Sequence, residues 1–213
     1  SDPMVRARLM EQVGMAFAGL GDFEQSVRIL RDALEITVAE TGDNSAETAR
    51  ARYRLGNALR QNSELDEAEA LIRQSIDWLQ RNDPGEIDLA QAYNGLGIVQ
   101  RNLGNYEAAE QSLRESVRLR IERDGDDSLQ LGATYHNLAR TLRAQSRHEE
   151  ARSFALRSLD IQRGNGGAAA RIGLTLTLLS NIERRLGLLD EAEAHAREGL
   201  ALSIEVYGET NHL

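Results

Sequence analysis

The chain has 213 residues, 41% hydrophobic and only 4% aromatic, with two prolines, no cysteine and a formal charge of −9. The lack of cysteine excludes disulfides, thiolate metal sites and cysteine nucleophiles, and no apolar run reaches the roughly 18 residues of a membrane-spanning helix. The negative charge argues against nucleic acid and anionic membranes as partners, and the cytoplasm is the expected compartment.

Ser1-Asp2-Pro3, ahead of Met4, reads as an expression remnant and is left out of the fold. From Met4 onward the small residue aligned with the one inside Glu107-Ala108-Ala109-Glu110 recurs as Ser26, Ala68, Ala109, Ala151 and Ala192, at spacings of 42, 41, 42 and 41 residues. So regular a period means stacked repeats, and a composition rich in Leu, Ala, Glu and Arg makes them helical. The predicted units are residues 4–41, 45–82, 85–124, 127–164 and 168–207, with 209–213 the start of a truncated next unit or a tail. They form one array in which each unit contacts mainly its neighbours.

Each unit reads as a helix hairpin. The third shows it best: Tyr93, Leu96 and Gly97 lie on a first helix, a turn follows, and Tyr106, Ala109, Leu113 and Val117 form a second apolar stripe at helical spacing. The chain should reverse at Gly21, Ser63, Gly104, Ser146 and Gly187. Helices should cross closely at Gly14, Gly56, Gly97, Ala139 and Ser180, beside core positions Val13, Leu55, Leu96, Leu138 and Leu179. Trp78, at the end of a second helix, is predicted to be core. Gly42, Gly125, Gly166 and Gly208 are predicted C-terminal caps, with Asp83-Pro84-Gly85-Glu86 replacing glycine at the second junction. Asn44 with Glu47, Asp83 with Glu86 and Asp127 with Gln130 fit capping boxes. Gly164-Asn165-Gly166-Gly167 should be the loosest junction.

Leu55-Gly56 with Ala68, and Leu96-Gly97 with Ala109, resemble the tetratricopeptide repeat, whose standard unit is about 34 residues. The longer period here, with Tyr135-His136-Asn137-Leu138-Ala139 and the ending Ile204 to His212, is similar to kinesin light chains and their bacterial relatives. A bacterial source also fits the basic residues, all 25 of them arginine. The resemblance implies an all-α, right-handed α-solenoid of about five hairpins that binds protein and is not an enzyme, with first helices lining a concave groove.

Placed by their offset from the Leu-Gly pair, the predicted peptide-binding residues are Arg50, Tyr53, Asn57, Arg60, Asn94, Arg101, His136, Asn137, Arg140, Arg143, Asn181 and Arg184. Arg8 and Arg185 add to this positive face, and Glu11 is its one acid. The column Arg60, Arg101, Arg143 and Arg184 suits an acidic peptide or a C-terminal carboxylate, because each guanidinium offers a planar fork of donors. A competing reading pairs these arginines with Glu64, Glu107 and Glu149 as a structural network. Two other functions stay open: a sensor or scaffold portion of a larger signalling protein with a kinase or nucleotide-dependent regulator, and homo-oligomers formed through uncapped ends near Leu200, Leu202, Ile204 and Val206. No catalytic residue, metal or cofactor is expected. His136, His148, His195 and His212 never fall at ligand spacing, and His148-Glu149-Glu150 lacks the second histidine of a zinc protease.

Overall fold

The computed structural model describes residues 2–82 and 89–208, apart from the side chain of Tyr207. The described residues form ten helices: α1 (Pro3–Gly19), α2 (Phe23–Thr41), α3 (Ala46–Gln61), α4 (Leu65–Leu79), α5 (Leu89–Asn102), α6 (Tyr106–Asp124), α7 (Leu129–Ala144), α8 (His148–Gly164), α9 (Ala169–Leu186) and α10 (Leu189–Tyr207). No strand occurs among them. The predicted capping pair at Asp83 and Glu86, and the tail after Gly208, lie outside the described residues.

The five reversals inside the hairpins share one mechanism. Gly21, Ser63, Gly104, Ser146 and Gly187 all adopt positive φ, between 62° and 85°. The next residue then donates its N–H back to a carbonyl in the helix it has left: Asp22 to Phe17, Glu64 to Leu59, Asn105 to Gln100, Arg147 to Leu142 and Leu188 to Glu183, at 2.8–3.0 Å. This six-residue closure satisfies a helix-end carbonyl that would otherwise be unpaired. Serine at two positions carries a Cβ penalty that glycine avoids. Ser63→Gly and Ser146→Gly should therefore each raise stability by about 0.5–1 kcal/mol. An unchanged or lowered urea midpoint for both would show that the serine side chains repay that strain.

Helix starts are capped one residue later than the sequence suggests. Ser45 Oγ, not Asn44, accepts from Thr48 N, and Ser128 Oγ, not Asp127, accepts from Leu131 N. Ser45 is held there by Thr41 Oγ1 at 2.7 Å, a contact from the preceding helix that local pattern cannot show. The glycine-rich junction after α8 is well tied: Gly167 N donates to Gln162 O at 2.7 Å, and Asn165 Nδ2 to Asp127 O at 2.7 Å.

The chain divides into two packing units, residues 1–112 and 113–213. In the first, α1 to α5 pack in sequence order, and the first helices also touch, α1 with α3 and α3 with α5. Leu30, Leu55, Leu59, Ile72, Ile76 and Leu96 form its core, with Trp78 packed half-buried against them. In the second, α7 to α10 pack in order, α7 touches α9, and Leu113, Leu138, Leu142, Leu159, Leu176 and Leu179 form the core. Leu55, Leu96, Leu138 and Leu179 are at most 3% exposed. Val13, predicted as their equivalent, is 47% exposed instead. Within each unit a second helix covers the first helix after it, α2 over α3 and α8 over α9, whereas no described helix precedes α1.

Candidate functional site

In the first unit three of the predicted residues, Arg50, Tyr53 and Asn57, line a cavity of about 590 Å³, whereas Arg60, Asn94 and Arg101 do not line it. Met15, Ala18 and Gly19 of α1, Arg50, Tyr53, Arg54, Asn57 and Gln61 of α3, and Gln91 all line it. Gly95 lets α5 lie close to this floor, since a Cβ there would stand 3.4 Å from the Tyr53 ring and 3.6 Å from Asn57 Oδ1. Asn57 turns its amide N–H onto Tyr53 O at 3.0 Å, which leaves its Oδ1 to accept.

The arginines of this unit differ in state, although the sequence gives them one role. Glu11 is buried at 2% exposure and is bridged by the guanidinium of Arg54, with Arg50 Nε 3.7 Å from the same oxygen. Arg50 therefore belongs in part to a built-in ion cluster. Arg60 has a buried Nε with no hydrogen-bond partner, and desolvation pushes its pKa down against the opposing pull of Tyr53. On α5, half-buried Asn94 follows Tyr93, and Arg101 Nη2 donates to Asn102 Oδ1 at 3.3 Å.

In the second unit α7 presents His136, Asn137, Arg140 and Arg143, and α9 presents Asn181 and Arg184. A directional hydrogen-bond chain sets the floor. Ser158 Oγ donates to Gly132 O (2.7 Å), Gln162 Nε2 to Ser158 Oγ (3.0 Å), and Thr175 Oγ1 to Gln162 Oε1 (3.1 Å). Thr175 Oγ1 is also hydrogen-bonded to His136 Nδ1, 3.0 Å away, and lies 3.2 Å from Arg171 O. This fixes the ring of His136 against α9. Arg140, Arg143 and Arg184 are exposed, and none has an acidic partner among the described residues. Desolvation first, then the charge of Arg143, lowers the pKa of Arg140. Asn181 Nδ2 donates to Thr177 O at 2.9 Å, repeating the geometry of Asn57.

Among the described residues the competing structural network does not form at Arg60, Arg143 or Arg184. Glu64 approaches Arg31 of α2 instead, at 4.0 Å, and Glu150, the neighbour of Glu149, pairs with Arg147 at 2.7 Å. Sequence reasoning missed a second buried carboxylate. Glu183 is 0% exposed and accepts from Arg152 Nε at 2.9 Å and His195 Nδ1 at 2.7 Å. A signal was present: Glu183 falls in the repeat column that holds Leu59 and Leu142. Gln100 shares that column and is also buried, accepting from Ser112 Oγ at 2.8 Å.

Among the described residues no helix is long and apolar enough to cross a membrane, and no cluster of His, Cys, Asp or Glu could hold a metal ion. The tetratricopeptide-repeat family models match residues 5–81 and 88–164, and again 174–213. The chain belongs to the tetratricopeptide-repeat family. No curated protein sequence matches it. Among solved structures it is similar to BtubC (BKLC) from P. vanneervenii, at 20% identity and a TM-score of 0.81, covering 100% of this chain and 86% of that one. It is similar also to a putative kinesin light chain with nearly identical repeats from Podospora anserina, at 16% identity and a TM-score of 0.78, covering 97% and 98%. A Rap protein complexed with competence and sporulation factor gives a TM-score of 0.82 at 14% identity, covering 96% of this chain and 55% of that one. These likenesses establish the tetratricopeptide solenoid fold. That fold is generally a noncatalytic protein-interaction scaffold.

Proposed function

We propose that this tetratricopeptide-repeat chain binds an acidic peptide or protein segment along the faces of its first helices. One observation carries the reading. Arg60, Arg140, Arg143 and Arg184, all on first helices, have no acidic partner among the described residues. Several second-helix arginines are ion-paired: Arg31 with Glu67 and Arg118 with Glu115, each at 2.6 Å, and Arg152 with Glu183 at 2.9 Å. Leaving guanidinium forks unmatched suits an extended segment that brings carboxylates. The known complex of a structural neighbour with a factor is consistent with a binding role for this fold.

Peptide-display selection on the chain, beside a variant with Arg60, Arg101, Arg143 and Arg184 all changed to Glu, tests the reading. Circular dichroism first establishes that the variant folds. The expected result is enrichment of acidic peptides on the parent alone, with binding that weakens as salt rises. Equal selection by both proteins, or none by either, would refute it.

A further inference from the structure

We infer that the α7 and α9 face takes a phosphate ester, a phosphorylated serine or threonine in a protein segment, in preference to a lone carboxylate. The inference rests on the reading of first-helix faces as peptide-binding and narrows the anion taken in the second unit.

The two units treat their cations differently. In the first, Glu11 already supplies a carboxylate to Arg54 and Arg50. In the second, Arg140 and Arg143 lie one turn apart on α7 with no such acid, and Arg184 and Arg185 stand on α9, also unpaired among the described residues. The His136 to Thr175 hydrogen bond ties α7 to α9, the two helices that carry these cations. Crowding without an anion has an electrostatic signature, since Arg143 helps to lower the pKa of Arg140.

A carboxylate brings one negative charge and two oxygens in a plane. A phosphate monoester brings a charge of about −1.5 to −2 and three oxygens spread in space, which can meet forks arriving from two helices. The match is therefore better in both charge and geometry. A nucleic-acid backbone offers phosphates too, but with one charge each, and the chain as a whole carries −9.

The test uses the full chain and three degenerate peptide pools that differ only in a fixed central residue: serine, glutamate or phosphoserine. Fluorescence anisotropy should show the phosphoserine pool binding about tenfold or more tightly than the glutamate pool. Arg140→Gln with Arg143→Gln, both at exposed positions and checked for folding by circular dichroism, should remove that preference, whereas Arg60→Gln should leave it. Equal binding of the glutamate and phosphoserine pools would overturn this inference and leave the acidic-peptide reading standing. Binding of neither pool above the serine pool would sink both. Competition by inorganic phosphate or by single-stranded RNA as strong as that of the phosphopeptides, or a preference that survives in the α7 variant, would also overturn it.

Discussion

Replacing Arg152 with alanine should destabilise residues 113–213 by about 3 kcal/mol, the low end of the cost of stranding a buried charge. Glu183 has no exposed surface, and its two oxygens are divided between Arg152 Nε at 2.9 Å and His195 Nδ1 at 2.7 Å. Removing the arginine leaves the carboxylate where water cannot reach it, with one oxygen still served by His195. The reverse change costs less. The Arg152 side chain is 30% exposed, so without its partner it can turn to solvent, and Glu183→Gln keeps an acceptor for one neighbour. We therefore expect Glu183→Gln to cost about 1–2 kcal/mol, and the double variant Arg152→Ala with Glu183→Gln to be more stable than Arg152→Ala alone. Urea unfolding followed by circular dichroism measures all three. A double variant no more stable than Arg152→Ala would mean that Glu183 is not the group being stranded.

What the sequence revealed follows from which interactions are local. The 42-residue period located every reversal, because a left-handed turn is set by one residue and its helix end. Even Ser63 and Ser146 were legible by register, although serine alone signals no such turn. The first-helix faces could be listed in the same way, from helical spacing and the Leu-Gly pair. What could not be read was the state of each side chain. Arg50 and Arg60 both belong to α3, yet Arg50 faces the buried Glu11 from 39 residues earlier and Arg60 meets no acid among the described residues. That difference depends on packing between hairpins. Glu183 lies between the two cases. An acid in a leucine column is visible as a break in pattern, but Arg152 and His195 become its partners only when α8, α9 and α10 pack together. Val13 shows the limit of arguing by repeat, since an equivalent position is buried only where a neighbouring helix covers it.

Gly56→Ala should destabilise the first unit by about 2 kcal/mol, even though alanine is the better helix former. On an exposed helix the exchange would gain up to roughly 1 kcal/mol. Here a Cβ would fall 2.7 Å from Ile72 Cγ1 and 3.3 Å from the carbonyl oxygen of Ala68 on α4. Neither neighbour can yield cheaply. Ile72 is fully buried and branched at Cβ, which leaves it few rotamers, and the Ala68 oxygen belongs to helix backbone. The methyl must therefore push α3 from α4, and core contacts are lost along both helices. Gly19, where a Cβ would meet nothing within 4 Å, is the internal control: Gly19→Ala should be neutral or stabilising. Trp78, the one tryptophan, packs against the cluster that contains Ile72, so its fluorescence reports unfolding of this core directly. Adding Ile72→Ala to Gly56→Ala should cost less than the two single changes combined, because the removed atoms make room for the new methyl. If Gly56→Ala instead stabilised the protein as Gly19→Ala does, the close crossing of α3 and α4 would not be what the recurring small residue in this column serves.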